Sequence, residues 1–166
     1  FYYGEPSHLQ NAYELLLDVE TGQTVSQPRR LSATIQDTIR FGTWSPDGKR
    51  VAYLHDRGGS ASSILVRNVD DVVEREVVPS VRLEIGDRCG VRFRWSASGD
   101  AFHVLGKAGA EGGLYRIDAQ TGQVSLLMAG SCRVGDHASK APFIYEWSAD
   151  GRFVYFQNAN RPFLYQ

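Results

Sequence analysis

The sequence predicts an all-β fold assembled from repeated four-stranded antiparallel units, on three observations. The stretch WSPDGKR at 44–50 returns as WSASGDA at 95–101 and WSADGRF at 147–153, at intervals of about fifty residues. Each copy runs into a short β-favouring stretch, RVAYL, AFHVL and FVYF, and then into a Gly-, Ser- or Asn-rich loop. Text with helical periodicity is nearly absent. Repeats of about 40 to 50 residues with four strands each are the signature of β-propeller blades. A β-sandwich is the alternative, but it gives no reason for a Trp-led turn to recur in register.

The elements follow in chain order. YELLLDVETGQT at Tyr13–Thr24 parallels LYRIDAQTGQV at Leu114–Val124, so the two Thr-Gly-Gln turns stand two repeats apart. The loops DRGGSASS, GKAGAEGG and NANRP lead into SILVRNV, GLYRIDA and the closing FLYQ, and a final strand such as REVVPSV or QVSLLMA ends a unit. With strands named a to d from the innermost outwards, the chain divides into a partial blade 1–31, blades 32–82 and 83–130, and a partial blade 131–166. That is about three and a half four-stranded blades in a single propeller segment.

The turn has a conformational reading. Pro46 pre-sets φ, Asp47 suits the third position, and Gly48 accepts the positive φ that returns the strand into a hairpin. Ala97 and Ala149 replace the proline and Ser98 replaces the aspartate, so of these three positions the glycine alone is kept. Trp44, Trp95 and Trp147 are expected near the end of each innermost strand, filling the space between neighbouring blades.

Trp-Ser-Pro-Asp-Gly-Lys-Arg, followed by an apolar strand, an Asp-Arg-Gly-Gly loop and a strand ending near Asp, resembles the WD-type repeat of TolB-like β-propellers. The same repeat is found in the propeller domains of prolyl-oligopeptidase-type peptidases and in bacterial periplasmic or surface proteins. The resemblance covers nearly the whole chain, nearest over Val51–Val69 and weakest over Gly130–Phe143. It implies the blade and leaves activity open, because such blades serve as scaffolds in unrelated proteins. It also implies a larger or oligomer-completed ring, since members close with about six to eight blades. An uncovered blade face of several hundred Å² forgoes on the order of 10 kcal/mol, so the remainder of a longer chain, further blades or a second copy should cover it.

Composition narrows the function classes. A chain of 166 residues, 42% hydrophobic, can bury a core. With 18 basic and 19 acidic residues it has no general attraction for nucleic acid or an anionic membrane. No apolar run approaches the roughly eighteen residues of a membrane helix, and FYYGEPSH lacks the features of a signal peptide. Both ends fall in strand-like text, so the chain reads as part of a longer protein whose targeting signals lie elsewhere. The resemblance implies a bacterial periplasmic or cell-surface setting, with the cytoplasm left open.

Because the strands of a blade are antiparallel, the loops before strand a and between b and c leave one rim, and the Trp-led turns leave the other. The first rim collects Asp37, Arg57, Asp87, Arg88, Lys107, Glu111, Arg133, Asp136, His137, Lys140 and Asn158. Such a mouth suits a peptide or another polar ligand. Its candidate partner-binding residues are Arg57, Asp87, Arg88, Arg133, Asp136 and His137. The longest irregular stretch, GSCRVGDHASKAP, holds the last three of these. Asp136-His137 alone makes neither a metal site nor an acid-base pair, and no cofactor or metal motif is legible. His55 and His103, in or beside strand b, are expected to be structural, and His8 gives no signal. There is no Gly-x-Ser-x-Gly elbow, no phosphate loop and no Cys-x-x-Cys. Cys89 and Cys132 each precede an innermost strand on adjacent blades, as a disulfide or as two thiols. The function expected is a non-enzymatic scaffold for a protein or peptide partner. The alternatives are the regulatory propeller of a serine peptidase whose triad lies outside this chain, and a propeller completed by self-association.

Overall fold

The computed structural model describes residues 13–30, 38–56, 62–71, 73–85, 93–130, 142–158 and 161–165. Four antiparallel sheets follow one another along the chain, with no helix among the described residues. The first pairs β1 (Tyr13–Glu14) with β2 (Arg29–Arg30). The second has β3 (Thr38–Trp44), β4 (Arg50–Asp56), β5 (Ser63–Asn68) and β6 (Glu74–Val77) in sequential order. The third contains β7 (Leu83–Ile85), β8 (Phe93–Trp95), β9 (Ala101–Ala108), β10 (Glu111–Asp118) and β11 (Val124–Ala129). Its order is β11-β10-β9-β7, with β8 also on β9, so β7 and β8 together occupy the place of one innermost strand. The fourth is β12 (Pro142–Trp147), β13 (Val154–Asn158) and β14 (Arg161–Tyr165).

Two of the three apolar clusters lie between neighbouring sheets. In β4, Val51, Ala52, Tyr53 and Leu54 are all buried, as a strand covered on both faces requires. Alternation then assigns the faces. Val51, Tyr53 and Leu65 form a cluster on the side of the first sheet, while Ala52, Leu54, Ile64 and Val66 join Phe93, Trp95, Phe102, Val104, Tyr115 and Ile117 of the third. Leu105 and Leu114, on the opposite face of the third sheet, pack with Tyr145, Trp147 and Val154 of the fourth.

Trp95 and Trp147 face the preceding sheet. Trp95 is 6% exposed, packs 4.4 Å from Phe102 between ring centres, and donates from Nε1 to the Thr43 carbonyl at 3.2 Å. Trp147 stacks on His103 at 4.3 Å. Trp44 departs from the expectation that all three fill gaps between blades: it is 51% exposed. The described part of the sheet before it has two strands, too few to reach this innermost position.

The Trp-led turns are one hairpin built three times. Ser45, Ser96 and Ser148 each donate their amide to the carbonyl five residues on and accept the glycine amide three residues on. Each serine hydroxyl also accepts the amide of the returning strand, from Arg50, Ala101 and Phe153 at 2.9, 3.1 and 3.0 Å. Gly48, Gly99 and Gly151 have φ of 67°, 70° and 70°, which an L side chain resists. The hairpins stand in a row, because a Cβ on Gly99 would touch Pro46 and one on Gly151 would touch Ala97.

Candidate functional site: the irregular rim

At the opposite ends of the innermost strands the regularity stops. In β3 the register slips between Arg40, opposite Leu54, and Gly42, opposite Tyr53. The extra residue, Phe41, has φ of 53° and is 46% exposed, a strained conformation for a non-glycine. In the third sheet Ile85 sits opposite Gly106 and Phe93 opposite Val104, so residues 86–92 are inserted where β9 advances by two. In β12 the slip falls between Pro142, opposite Asn158, and Ile144, opposite Gln157. β3 and β12 therefore bulge, and the innermost strand of the third sheet is divided into β7 and β8, at nearly one level, in the half away from the tryptophans. Bulges bend a strand and re-aim its side chains, and they gather beside binding sites.

The rim residues singled out from the sequence, Arg57, Asp87, Arg88, Arg133, Asp136 and His137, lie outside the described residues, as do Cys89 and Cys132. Their connections are fixed by described neighbours: Arg57 follows the end of β4, and 131–141 joins the third sheet to the fourth. Residues 86–92 interrupt the innermost strand, whereas the sequence suggested a loop ahead of it. Leu83–Ile85 opens the unit 83–130, and β9 pairs with it as well as with β8. Lys107 and Glu111 are described and flank the Gly109-Ala110 turn between β9 and β10. Glu111 uses its carbonyl to accept the Tyr115 hydroxyl at 2.7 Å.

Two buried polar groups test for chemistry inside the sheets. Ser63 Oγ donates to Glu76 Oε1 at 2.5 Å, and His55 Nδ1 is 3.3 Å from Ser63 Oγ and 3.7 Å from Glu76 Oε1. A nucleophilic serine needs the histidine interposed between hydroxyl and carboxylate. Here the serine proton goes directly to the glutamate, and the trio acts as a cross-strand polar bridge. His103 lies between the cross-strand neighbours Arg94 and Arg116, with Trp147 on its ring. Burial, reinforced by Arg116 and opposed by Asp100, lowers its pKa to about 4. It is neutral at pH 7, and the Tyr145 hydroxyl donates to its carbonyl at 2.8 Å. Among the described residues no three His, Cys, Asp or Glu side chains cluster to hold a metal.

On the hairpin rim the carboxylates serve the turns. The Asp100 pKa falls to about 2 through hydrogen bonds from Ser98 and Ser96. Asp47 and Asp150 are lowered by Ser45 and Ser148 in the same way. These groups are tied to their own loops. A serine follows the tryptophan in all three copies, which is the sequence signal for this role.

No protein-family model matches the chain, and no curated protein does. Its backbone is similar to a solved TolB structure from Agrobacterium tumefaciens, with a TM-score of 0.55 at 18% identity. The fold is that of a TolB-like β-propeller. The match covers 91% of this chain and 51% of that one, so the TolB-like segment spans about half the length of its neighbour. A TolB structure from Acinetobacter baumannii is also similar, at 16% identity over 85% of this chain and 46% of that one. Its TM-score of 0.37 is too low to carry an argument. No helix among the described residues of this TolB-like segment is long and apolar enough to cross a membrane.

Proposed function

We propose that this segment is a non-catalytic scaffold whose irregular rim takes a protein or peptide partner. The observation that carries the reading is the shared level at which β3 and β12 bulge and β7 gives way to β8, which contrasts with the uniform hairpins of the other rim. In this reading the blades run 32–82 and 83–130 with partial blades on either side, and the rim contacts are Arg57, Asp87, Arg88, Arg133, Asp136 and His137. The setting is the bacterial periplasm or cell surface, where a Cys89–Cys132 disulfide would survive.

A peptide array of mixed composition tests it. Peptides captured by the wild-type chain should be lost by the double substitution Arg88→Ala/Arg133→Ala, with the melting temperature kept within a degree or so. Capture that survives these changes, but fails when Asp47 and Asp150 are replaced, would move the site to the hairpin rim and sink the proposal. Alkylation under non-reducing conditions reads the cysteines: two reactive thiols would exclude the bridge.

A further inference from the structure

The joint between the first and second sheets differs in chemistry from the joints that follow it. Cross-strand register places Tyr53, His55, Ser63, Arg67, Glu74 and Glu76 on one face of the second sheet, opposite the face of Ala52, Leu54, Ile64 and Val66. At the matching positions the third sheet has Val104, Gly106, Gly113, Ile117, Val124 and Leu126, on the face it turns to the second. A layer that is apolar in one joint therefore carries charged and hydrogen-bonding groups in the other. His55, Ser63 and Arg67 are buried all the same.

The first sheet meets this polar face through Glu14. One carboxylate oxygen accepts from Arg29 of its own sheet, with Nε at 2.6 Å, and the other accepts from Arg67 of β5 at 3.5 Å. Among the described residues, none from the first sheet joins an apolar cluster, and Tyr13, Leu15, Leu16 and Leu17 are all exposed. The next joint has an apolar core and a clamp as well. Arg75 donates to the Ala119 and Gln120 carbonyls at 2.6 and 3.4 Å, the Ser80 amide donates to the Gly122 carbonyl at 2.8 Å, and Ser80 Oγ accepts the Val124 amide at 3.0 Å. The turn held by the clamp recurs in the first sheet: Asp18 and Asp118 each donate their amide to the glutamine carbonyl five residues on, and Gly22 and Gly122 have φ of 69° and 73°. A Cβ on Gly122 would lie 2.1 Å from the Val78 carbonyl oxygen, whereas one on Gly22 would meet nothing within 4 Å.

We infer that residues 13–30 form a salt-sensitive strap, latched to the second sheet by the Glu14–Arg67 ion pair and lifting away as a unit when that pair is weakened. The energetics make this joint the first to open. Apolar burial stabilises the later joints in proportion to its area, whereas the desolvation of a buried ion pair offsets much of its Coulomb gain. The latch also reaches water through Arg29, whose side chain is 59% exposed, so dissolved ions compete for Glu14. A two-stranded hairpin alone in water is marginally stable at best, so a lifted strap loses its internal hydrogen bonds. Lifting bares the face of Tyr53, His55 and Arg67 and leaves the apolar joints beyond it closed. The inference does not depend on which rim binds a ligand.

Amide hydrogen exchange on the whole 166-residue chain tests it, with the Asp18 amide as reporter and the Asp118 amide, in the same turn of the third sheet, as internal control. Glu14→Gln keeps the shape of the side chain and removes its charge. It should speed exchange at Asp18 about tenfold or more while Asp118 stays as in wild type. Sodium chloride raised from about 0.1 M to about 1 M should speed Asp18 in the same selective way, by a smaller factor. Arg67→Ile gives β5 the kind of side chain that Ile117 gives β10, and in that background neither Glu14→Gln nor salt should change the Asp18 rate. An unchanged Asp18 rate in Glu14→Gln overturns the inference. Equal acceleration at Asp118 overturns it too, because the chain would then open as a whole. So does acceleration by Glu14→Gln that persists in Arg67→Ile, since Glu14 would then act through Arg29 within its own sheet.

Discussion

Arg50 crosses from the second sheet to the third and holds its guanidinium 4.6 Å from the centre of the Trp95 ring while donating to the Gly99 carbonyl at 3.0 Å. One side chain thereby ties a tryptophan to the hairpin that follows it. Arg50→Ala should destabilise the chain by about 1–2 kcal/mol, from a cation–π contact and a charge-assisted hydrogen bond together. Arg50→Lys keeps the charge without the planar fork and should recover about half. Urea unfolding followed by fluorescence measures both, and an alanine variant indistinguishable from wild type would remove the proposed tie.

Gly122 and Gly22 have the same backbone conformation in different surroundings. Gly22→Ala should cost about 1 kcal/mol, the penalty of a positive φ alone. Gly122→Ala adds a collision with the Val78 carbonyl, so the joint must open and the loss should exceed about 3 kcal/mol. Equal losses in thermal unfolding would mean that the clamp carries no weight.

Ser96 is 6% exposed and holds its hairpin through the Asp100 and Ala101 amides at 3.2 and 3.1 Å. Ser96→Ala leaves those donors without their acceptor and should cost about 1–2 kcal/mol. It also removes one of the two hydroxyls that bring Asp100 down to about 2. The Asp100 carboxyl should therefore titrate higher in an NMR pH series of the variant, and an unchanged midpoint would contradict the geometry.

The histidine under Trp147 gives the chain an acid sensitivity. His103 takes its proton near pH 4 when folded and near 6.5 when unfolded. Between these values the unfolded chain binds more protons, so stability falls as pH drops from about 6.5 to 4 and this contribution levels off below. The full effect is on the order of 2–3 kcal/mol. Arg116 opposes the charge and Asp100 favours it; Arg94, the cross-strand neighbour of His103, is paired with Glu146 of β12 at 3.0 Å. Unfolding free energies measured across this range should show the slope, and His103→Gln should flatten it. A slope kept in the variant would place the sensitivity elsewhere.

Much of the fold was legible because tight turns are local. Gly48, Gly99 and Gly151 need positive φ wherever the hairpin stands, and the Asp18 and Asp118 turns repeat from the same few residues. The place of His55 and His103 in strand b implies a structural role, and both are buried there. What escaped depends on neighbours distant in sequence. Nothing in the text around Trp44 distinguishes it from Trp95; the sheet in front of each one does. That Leu83–Ile85 and Phe93–Trp95 share one place in the sheet shows only in their common pairing with β9. Ser45, Ser96 and Ser148 are less legible for another reason: glycine and proline mark a turn through φ, whereas the serines act through hydrogen bonds.

The placement of the apolar clusters between sheets has a thermodynamic consequence. Stability resides in nearest-neighbour couplings, as in a one-dimensional array, and little belongs to a single four-stranded repeat. Deleting one internal repeat abolishes two couplings and creates one untested contact, so the smallest cooperative element is a pair of adjacent sheets. Unfolding should advance inward from the outer sheets one coupling at a time, leaving the pair that shares Trp95 until last.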